Sequence, residues 1–173
     1  IADPTQAPSS GLSVDLGRHL IKRKKIDLKG TVAHGLTVMA NYAYTDSKVL
    51  RVTEGITAIK AGDVVPGFAK HTANTWIVYR VHSGVLKGFG LSGGATFLAD
   101  RATYWDPSPT GGTTLPNYFK MDAGISWENE KLNITANVFN VLNEYLYSGS
   151  YYAWLGAYYW QAEAPRNLRF TIG

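Results

Sequence analysis

The stretch FKMDAGISWE, residues 119–128, decides the fold class because its side chains change character at every step. Its even-numbered residues are polar or small, and its odd-numbered residues are all apolar: Phe119, Met121, Ala123, Ile125 and Trp127. Successive side chains point to opposite faces of a β-strand, so a period of two indicates a strand rather than a helix. The stretch therefore predicts a strand with one apolar face and one polar face.

The same alternation recurs along the chain, and no comparable helical pattern occurs. We therefore predict an all-β protein of about seven antiparallel strands. Their predicted bounds are residues 14–31, 36–49, 70–82, 88–104, 117–128, 131–147 and 166–173. Tight turns alternate with long connections rich in Gly, Pro or aromatic residues, which favours an up-and-down sheet with one functional rim.

Composition narrows the class of protein further. The chain has 173 residues, no cysteine, a formal net charge of +4 and 17% charged residues. The absence of cysteine excludes a disulfide framework and thiolate metal sites. No apolar run approaches the ~18 residues that a spanning helix needs, which excludes an α-helical membrane protein. A transmembrane β-barrel stays compatible, because alternating strands keep the mean hydropathy near that of a soluble protein.

Alternation alone leaves open which face of the sheet points outward. Two features favour an apolar face toward lipid. The polar face carries little charge and is rich in Asn, Thr, Ser and Gly, and aromatic residues cluster at the predicted strand ends, where membrane interfaces lie. Two alternatives stay open: a complete eight-stranded outer-membrane barrel with a structural or adhesion role, and a soluble β-barrel or sandwich that binds a sugar or lipid.

The segment LPNYFKMDAGISWENEKLNITANVFNVLNEYLY, residues 115–147, resembles the penultimate hairpin of TonB-dependent outer-membrane receptors of the ferric siderophore type. Asp122 takes the family's central acidic position, and residues 137–145 match its Asn-rich ending. Residues 35–49, 65–81 and 164–173 are also similar to strands of that family. Two departures are the missing Gly in KRKKID, residues 22–27, and the final Gly173 in place of an aromatic residue.

The resemblance implies an up-and-down transmembrane β-barrel in which residues 1–173 form the C-terminal third of 22 strands. The plug domain and the earlier strands would then lie outside this sequence. It further implies a receptor in the outer membrane of a Gram-negative bacterium that binds a ferric siderophore at its extracellular loops. Import would use energy from the inner-membrane TonB complex. On this reading the iron–siderophore complex is cargo, and the protein has no cofactor.

An aromatic-rich stretch at residues 145–160 is the predicted ligand contact. Tyr and Trp offer large, rigid contact areas with a hydrogen-bonding tip, which suits a bulky, oxygen-rich ligand. The predicted ligand-binding residues are Tyr151, Tyr152, Trp154, Tyr158, Tyr159, Trp160 and, in the preceding long loop, Trp105. The alternative is that these residues form an outer girdle or pack the loop on itself. We expect this alternative for Tyr145 and Tyr147, which continue a predicted strand.

Polar residues on the opposite face are the predicted lumen set. If the apolar face meets lipid, these side chains point into the barrel, where the resemblance implies a plug domain of the same receptor. The predicted plug-facing residues are Lys120, Asp122, Asn133, Asn137 and Arg169. Hydration of the lumen is the alternative role for the same side chains.

The positive charge is concentrated in one segment, because residues 18–29 hold six cations and one anion. Within it, Lys22 and Lys24 share the alternation of Ile26 and Leu28 and so are predicted on the lipid side. A lipid-facing cation is costly unless it reaches a headgroup, so phosphates of lipopolysaccharide are its predicted partner. The alternative is that this strand rises above the membrane and its lysines are solvated.

No pattern in the sequence predicts catalysis. The four histidines fall on different predicted strands or turns without metal-ligand spacing, and the GxGxxG, GxSxG and HExxH motifs do not occur. The basic segment lacks interleaved aromatic residues, which argues against nucleic-acid binding. We therefore predict neither an enzyme nor a metal site.

Overall fold

The alternating segments form β-strands throughout the computed structural model, which describes residues 17–53, 59–102, 114–153 and 157–173. At 151–153, 157 and 158 only the backbone is described. The strands are β1 (Gly17–Ala33), β2 (Leu36–Val52), β3 (Ala69–Arg80), β4 (Phe89–Ala102), β5 (Thr114–Leu115), β6 (Tyr118–Glu128), β7 (Asn133–Phe139), β8 (Tyr147–Ala153), β9 (Ala157–Ala162) and β10 (Asn167–Ile172). The described residues contain no helix, and so no helix among them could cross a membrane.

Seven strands form one antiparallel sheet in the order β1-β2-β3-β4-β6-β7-β10. This path confirms the predicted seven-stranded, up-and-down order. The two-residue β5 pairs with the end of β4, and β8 pairs with β9 in a separate hairpin. In the described part of the chain, β1 and β10 are the two edges and do not pair with each other. The sheet formed by the described residues is therefore open, unlike a complete eight-stranded barrel.

Strand register sorts the side chains into two faces, because residues directly opposite each other in a sheet share a face. One row of partners crosses six strands and holds only apolar residues: Val38, Ile77, Gly93, Ala123, Val138 and Leu168. We call this side the apolar face; Ile26 and Leu28 of β1 belong to it through their partners Tyr42 and Ala40. The residues between them form the polar face.

The apolar face is the exposed one. On the inner strands, where neighbours cover both sides in the sheet plane, Ile77, Leu91 and Ile125 are 44%, 46% and 52% exposed. The polar face is instead joined by side-chain contacts, such as the 3.0 Å hydrogen bond from the Asn74 amide to Asn41 Oδ1. A soluble barrel or sandwich buries its apolar side chains against a second layer, so the structure favours the lipid-facing arrangement.

The two ends of the sheet differ. The end that carries the His34–Gly35 turn and the residue 129–132 turn is called the lower end, and the opposite end, which carries the long connections, is the upper end. At the upper end the β2–β3 connection folds back on β2: Val49 and Ile59 are buried together, and the Val49 amide donates to the Asp63 carbonyl at 2.8 Å. This contact holds the β2–β3 connection against the upper part of β2.

The last connection differs from the sequence prediction. The strand predicted over 131–147 ends at Phe139, because Asn140 and Asn143 adopt φ angles of 53° and 57°. Asparagine tolerates this left-handed conformation, which turns the chain out of the sheet. The segment predicted as a loop over 148–165 instead contains most of the β8–β9 hairpin. Tyr145 and Tyr147 were expected to continue the strand over 131–147, but neither lies in β7, and Tyr147 instead begins β8.

Candidate functional site

The β8–β9 hairpin stands at the upper end and gathers most of the predicted ligand-binding residues. Its register places Tyr151 opposite Tyr159 and Tyr152 opposite Tyr158. Tyr159 and Trp160 are each 41% exposed. Trp105 and Trp154 lie outside the described residues.

Trp160 packs within the hairpin. Its ring meets that of Tyr147 edge-on, with centroids 5.3 Å apart. This is a preferred geometry for aromatic pairs, which combines mutual packing with open outer surfaces. Trp160 therefore packs within the loop and also keeps an accessible surface.

Arg101, at the upper end of β4, fastens the hairpin to the sheet. Its guanidinium donates to the Tyr147 carbonyl at 2.8 Å and to the Ser148 carbonyl at 2.7 Å. A third, longer bond reaches the Pro116 carbonyl at 3.4 Å. Arg101 is only 5% exposed, so these charge-assisted bonds are sheltered from water. They fix the base of the hairpin relative to β4 and β6.

A second set of contacts leads from this base down the polar face. The Arg101 guanidinium lies 5.6 Å from the ring centroid of Tyr118, and the Tyr118 hydroxyl is close to the Glu163 carboxylate. The Glu163 carboxylate is in turn 3.6 Å from the Lys120 ammonium. The base of the hairpin and Lys120, a predicted lumen residue, thus belong to one network of contacts that runs through Arg101, Tyr118 and Glu163.

Lys120 and Asp122, both predicted as plug-facing, lie together on the polar face with Nζ and Oδ2 4.0 Å apart. The other Asp122 oxygen, Oδ1, accepts the backbone N–H of Asn140 at 2.8 Å. The buried Asn140 side chain then bonds both the N–H and the carbonyl of Glu144, at 3.1 and 2.9 Å. The central acidic position and the Asn-rich ending singled out in the sequence therefore meet at one turn.

The three remaining lumen candidates share the polar face without forming a cluster. Asn137 lies opposite Gly124 and Arg169 in the register, and its Oδ1 occupies the space that a Cβ at Gly124 would need. The Arg169 guanidinium lies 5.2 Å from the ring centroid of Phe139. Asn133 is at the lower end, where its backbone pairs with Gly173. These positions line the wall at different heights.

Replacing Asn140 by alanine is expected to lower the free energy of unfolding by about 2–3 kcal/mol. The change removes the two bonds to Glu144, worth ~1 kcal/mol each, together with a longer one to the Ala164 carbonyl at 3.5 Å. Alanine also lacks asparagine's tolerance of the left-handed region. Urea titration of the full-length receptor in lipid vesicles measures the loss. Asn140→Gly, which loses the bonds but tolerates the φ angle, should recover about 1 kcal/mol. Wild-type midpoints for both variants would contradict the role of this turn.

The network residues Arg101, Tyr118 and Glu163 were not predicted from sequence. Simple alternation places Arg101 with Phe97 and Ala99 on the apolar face. The φ angle of 51° at Asp100 breaks the alternation and brings Arg101 to Tyr118 instead. The sequence did contain a signal for this break. Arg101 is a charged residue at a position where alternation expects an apolar one, and it directly follows Asp100, a residue type that tolerates the left-handed region.

The basic segment lies where the alternation predicted. Lys22 is opposite Asp46 and Lys24 is opposite Tyr44, in step with Ile26 opposite Tyr42. Lys22 and Lys24 therefore lie on the apolar side of β1. Within the described ranges, no group of three or more His, Asp or Glu side chains could hold a metal ion.

Comparison with known proteins relates this sheet to a receptor family. A family model described as "TonB dependent receptor-like, beta-barrel" matches residues 8–141. A probable TonB-dependent receptor of Bordetella pertussis, BfrD, is 25% identical over 154 residues, which cover 86% of this chain and 20% of that protein. The chain thus spans about a fifth of the length of this relative.

Solved structures of outer-membrane receptors have a similar fold over most of this chain. The siderophore receptor PiuA from Acinetobacter baumannii superposes with a TM-score of 0.71 at 18% identity, over 89% of this chain and 21% of PiuA. The ferric-catecholate import receptor Fiu from K12 E. coli gives a TM-score of 0.71 at 17% identity, over 95% of this chain and 22% of Fiu. At these identities the likeness establishes the fold.

Proposed function

The chain belongs to the TonB-dependent receptor β-barrel family, as its resemblance predicted, and from this premise we propose that it forms the C-terminal part of an outer-membrane importer for a ferric siderophore. The family is one of receptors rather than enzymes. The proposed mechanism is accordingly capture and transport without covalent chemistry. The TonB complex of the inner membrane supplies the energy, and the iron–siderophore complex is cargo.

One observation carries the proposal: an aromatic hairpin is held at the rim of a membrane-type wall by a buried arginine. Tyr159 and Trp160 are accessible there, and Arg101 keeps the hairpin base in place. Rigid aromatic contact area at fixed positions binds a bulky ligand at a low cost in conformational entropy. The names of PiuA and Fiu, a siderophore receptor and a ferric-catecholate import receptor, support this class of cargo.

The polar face supplies the proposed contact with a plug domain. Lys120 and Asp122 are largely covered within the sheet, but each keeps hydrogen-bonding capacity beyond its mutual contact. Through Glu163 and Tyr118 they connect to Arg101 at the hairpin base. A shift of the hairpin on ligand binding can therefore alter the polar groups that a plug would meet. Asn133, Asn137 and Arg169 extend this proposed surface downward.

Removing the two accessible aromatic side chains is the direct test of the ligand site. In the full-length receptor, Tyr159→Ala with Trp160→Ala should weaken binding of ferric catecholate or hydroxamate complexes by at least tenfold, because buried aromatic anchors contribute ~2 kcal/mol each at binding sites. Quenching of intrinsic fluorescence gives the affinity, and radioactive iron uptake by iron-limited cells gives transport.

Tyr145→Ala is the matched control, because this tyrosine is 93% exposed beside the hairpin and belongs to none of the network contacts described above. It should retain wild-type affinity and uptake. Unchanged uptake in the Tyr159 and Trp160 double variant would refute the proposed site. Binding of cobalamin or an oligosaccharide in place of every ferric complex would refute the proposed cargo.

A further inference from the structure

The apolar face changes character at a single level near its upper end. Between Ile26 and the lower turns, the described strands place no charged residue on this face. Directly above Ile26 come Lys24 and Lys22, and beside them on β2 come Asp46 and Lys48. The transition from apolar to charged side chains occurs within one step of the alternation.

The height of this transition matches the thickness of a membrane. Tyr44 and Asp46, the partners of Lys24 and Lys22, lie eight and ten residues beyond Leu36, which pairs with Tyr79 near the lower end. A rise of ~3.3 Å per residue and a tilt of ~40° give about 20 and 25 Å of height. The apolar band of outer-membrane barrels is ~25 Å tall. Both lysines therefore stand at the upper boundary of the band.

Aromatic and polar neighbours mark the same level. The Tyr42 hydroxyl is 2.8 Å from His71 Nδ1, and the Tyr44 ring meets the His71 ring edge-on with centroids 5.3 Å apart. Tyrosine rings with a polar tip favour the membrane–water interface. This cluster places headgroups, rather than acyl chains, beside Lys24.

The charges of Lys22 and Lys24 are not balanced by the sheet. Lys25, on the polar side of the same strand, pairs with Asp27 at 2.9 Å. Asp46, the cross-strand partner of Lys22, lies 3.7 Å from the Lys48 ammonium instead. Among the described residues, no carboxylate lies within ion-pair distance of Lys22 or Lys24. An external anion at this height would supply the partner.

We propose that Lys22 and Lys24 bind the phosphates of lipopolysaccharide in the outer leaflet. Its lipid A part carries phosphate groups at the interface and acyl chains below them, which matches two cations directly above an uncharged apolar face. Lysine is a good point-charge partner for phosphate. The site rests on the outer-membrane placement proposed above and is independent of the transported ligand.

The test compares two charge-matched double variants of the full-length receptor in detergent. Lys22→Gln with Lys24→Gln removes the outward cations, and Arg23→Gln with Lys25→Gln removes two cations from the other face of the same strand. The probe is bisphosphorylated lipid A, and native mass spectrometry measures the bound fraction. We expect about thirty-fold weaker binding for the outward variant, the factor for ~1 kcal/mol at each of two cations, and near wild-type binding for the other.

Four outcomes would overturn the site. Equal losses in both variants would show a general charge effect, and no loss in either would show that the lysines are solvated above the membrane. Equal binding of dephosphorylated lipid A would remove phosphate from the interaction, and equal binding of phosphatidylglycerol would remove lipopolysaccharide as the specific partner. Siderophore affinity is measured on the same samples. Because it should be unchanged, failure of this site and failure of the proposed function are separable.

Discussion

Replacing Arg101 by methionine is expected to weaken binding of the ferric ligand by about thirty-fold while the barrel stays folded. Methionine keeps much of the side-chain volume but offers no donor to the carbonyls of Tyr147 and Ser148. Hydrogen bonds to charged groups contribute ~1.5–3 kcal/mol, and ~2 kcal/mol corresponds to this loss of affinity. The hairpin should also become sensitive to proteases. Fluorescence titration and limited proteolysis of the full-length receptor measure the two effects.

Two further variants separate positioning of the hairpin from loss of charge. Arg101→Lys keeps the charge but lacks the planar fork that reaches two carbonyls, so its affinity should be intermediate. Arg80→Met removes an arginine that pairs with Glu128 at the lower end and should leave the affinity unchanged. A methionine variant that binds the ligand normally and resists proteolysis would show that Arg101 does not hold the hairpin.

Replacing Ile125 by arginine is expected to lower the free energy of unfolding by about 2–4 kcal/mol in lipid vesicles. Ile125 is 52% exposed on the apolar face, between its partners Leu91 and Ala136. A cation at this depth must either leave water or distort the surrounding lipid. Urea titration of the full-length receptor in vesicles measures the loss directly.

Thr135→Arg is the matched control for the face assignment. Thr135 lies at nearly the same height but on the polar face, opposite Ser126 and Thr171. An arginine there can reach water or polar groups, so the expected loss is below 1 kcal/mol. A larger loss for Thr135→Arg than for Ile125→Arg would mean that the two faces are reversed.

The strand order and the two faces could be predicted because they depend on local geometry. In residues 119–128 the period of two alone assigns each side chain to a face, and the register joins these faces across neighbouring strands. Which face is exposed depends on the surroundings of the sheet and not on alternation. Composition favoured the lipid-facing arrangement, and the exposure of Ile77, Leu91 and Ile125 on the inner strands agrees with it.

The rim could not be predicted to the same extent, because its geometry depends on contacts between distant residues. The end of β7 is set by Asn140, whose backbone N–H donates to Asp122 eighteen residues earlier. The aromatic stretch was predicted as a loop, whereas most of it pairs as β8 and β9, and Arg101 bonds the carbonyls of Tyr147 and Ser148 at the start of this hairpin. Such a bond between residues 101 and 147 has no periodic signature.

The length of the β1–β2 ladder has a consequence for how water reaches its backbone. Each strand has 17 residues, which at ~3.3 Å per residue and a ~40° tilt rise about 43 Å, well beyond a ~25 Å apolar band. One continuous ladder therefore passes through two solvents. Below Lys24 an opened amide meets hydrocarbon on the apolar side of the sheet and can find a polar partner on the other side alone, so opening costs more there. Above Lys22 water competes with the partner strand for every amide hydrogen bond. The β1–β2 hydrogen bonds are therefore expected to open more readily near the upper end of the ladder than near its lower end.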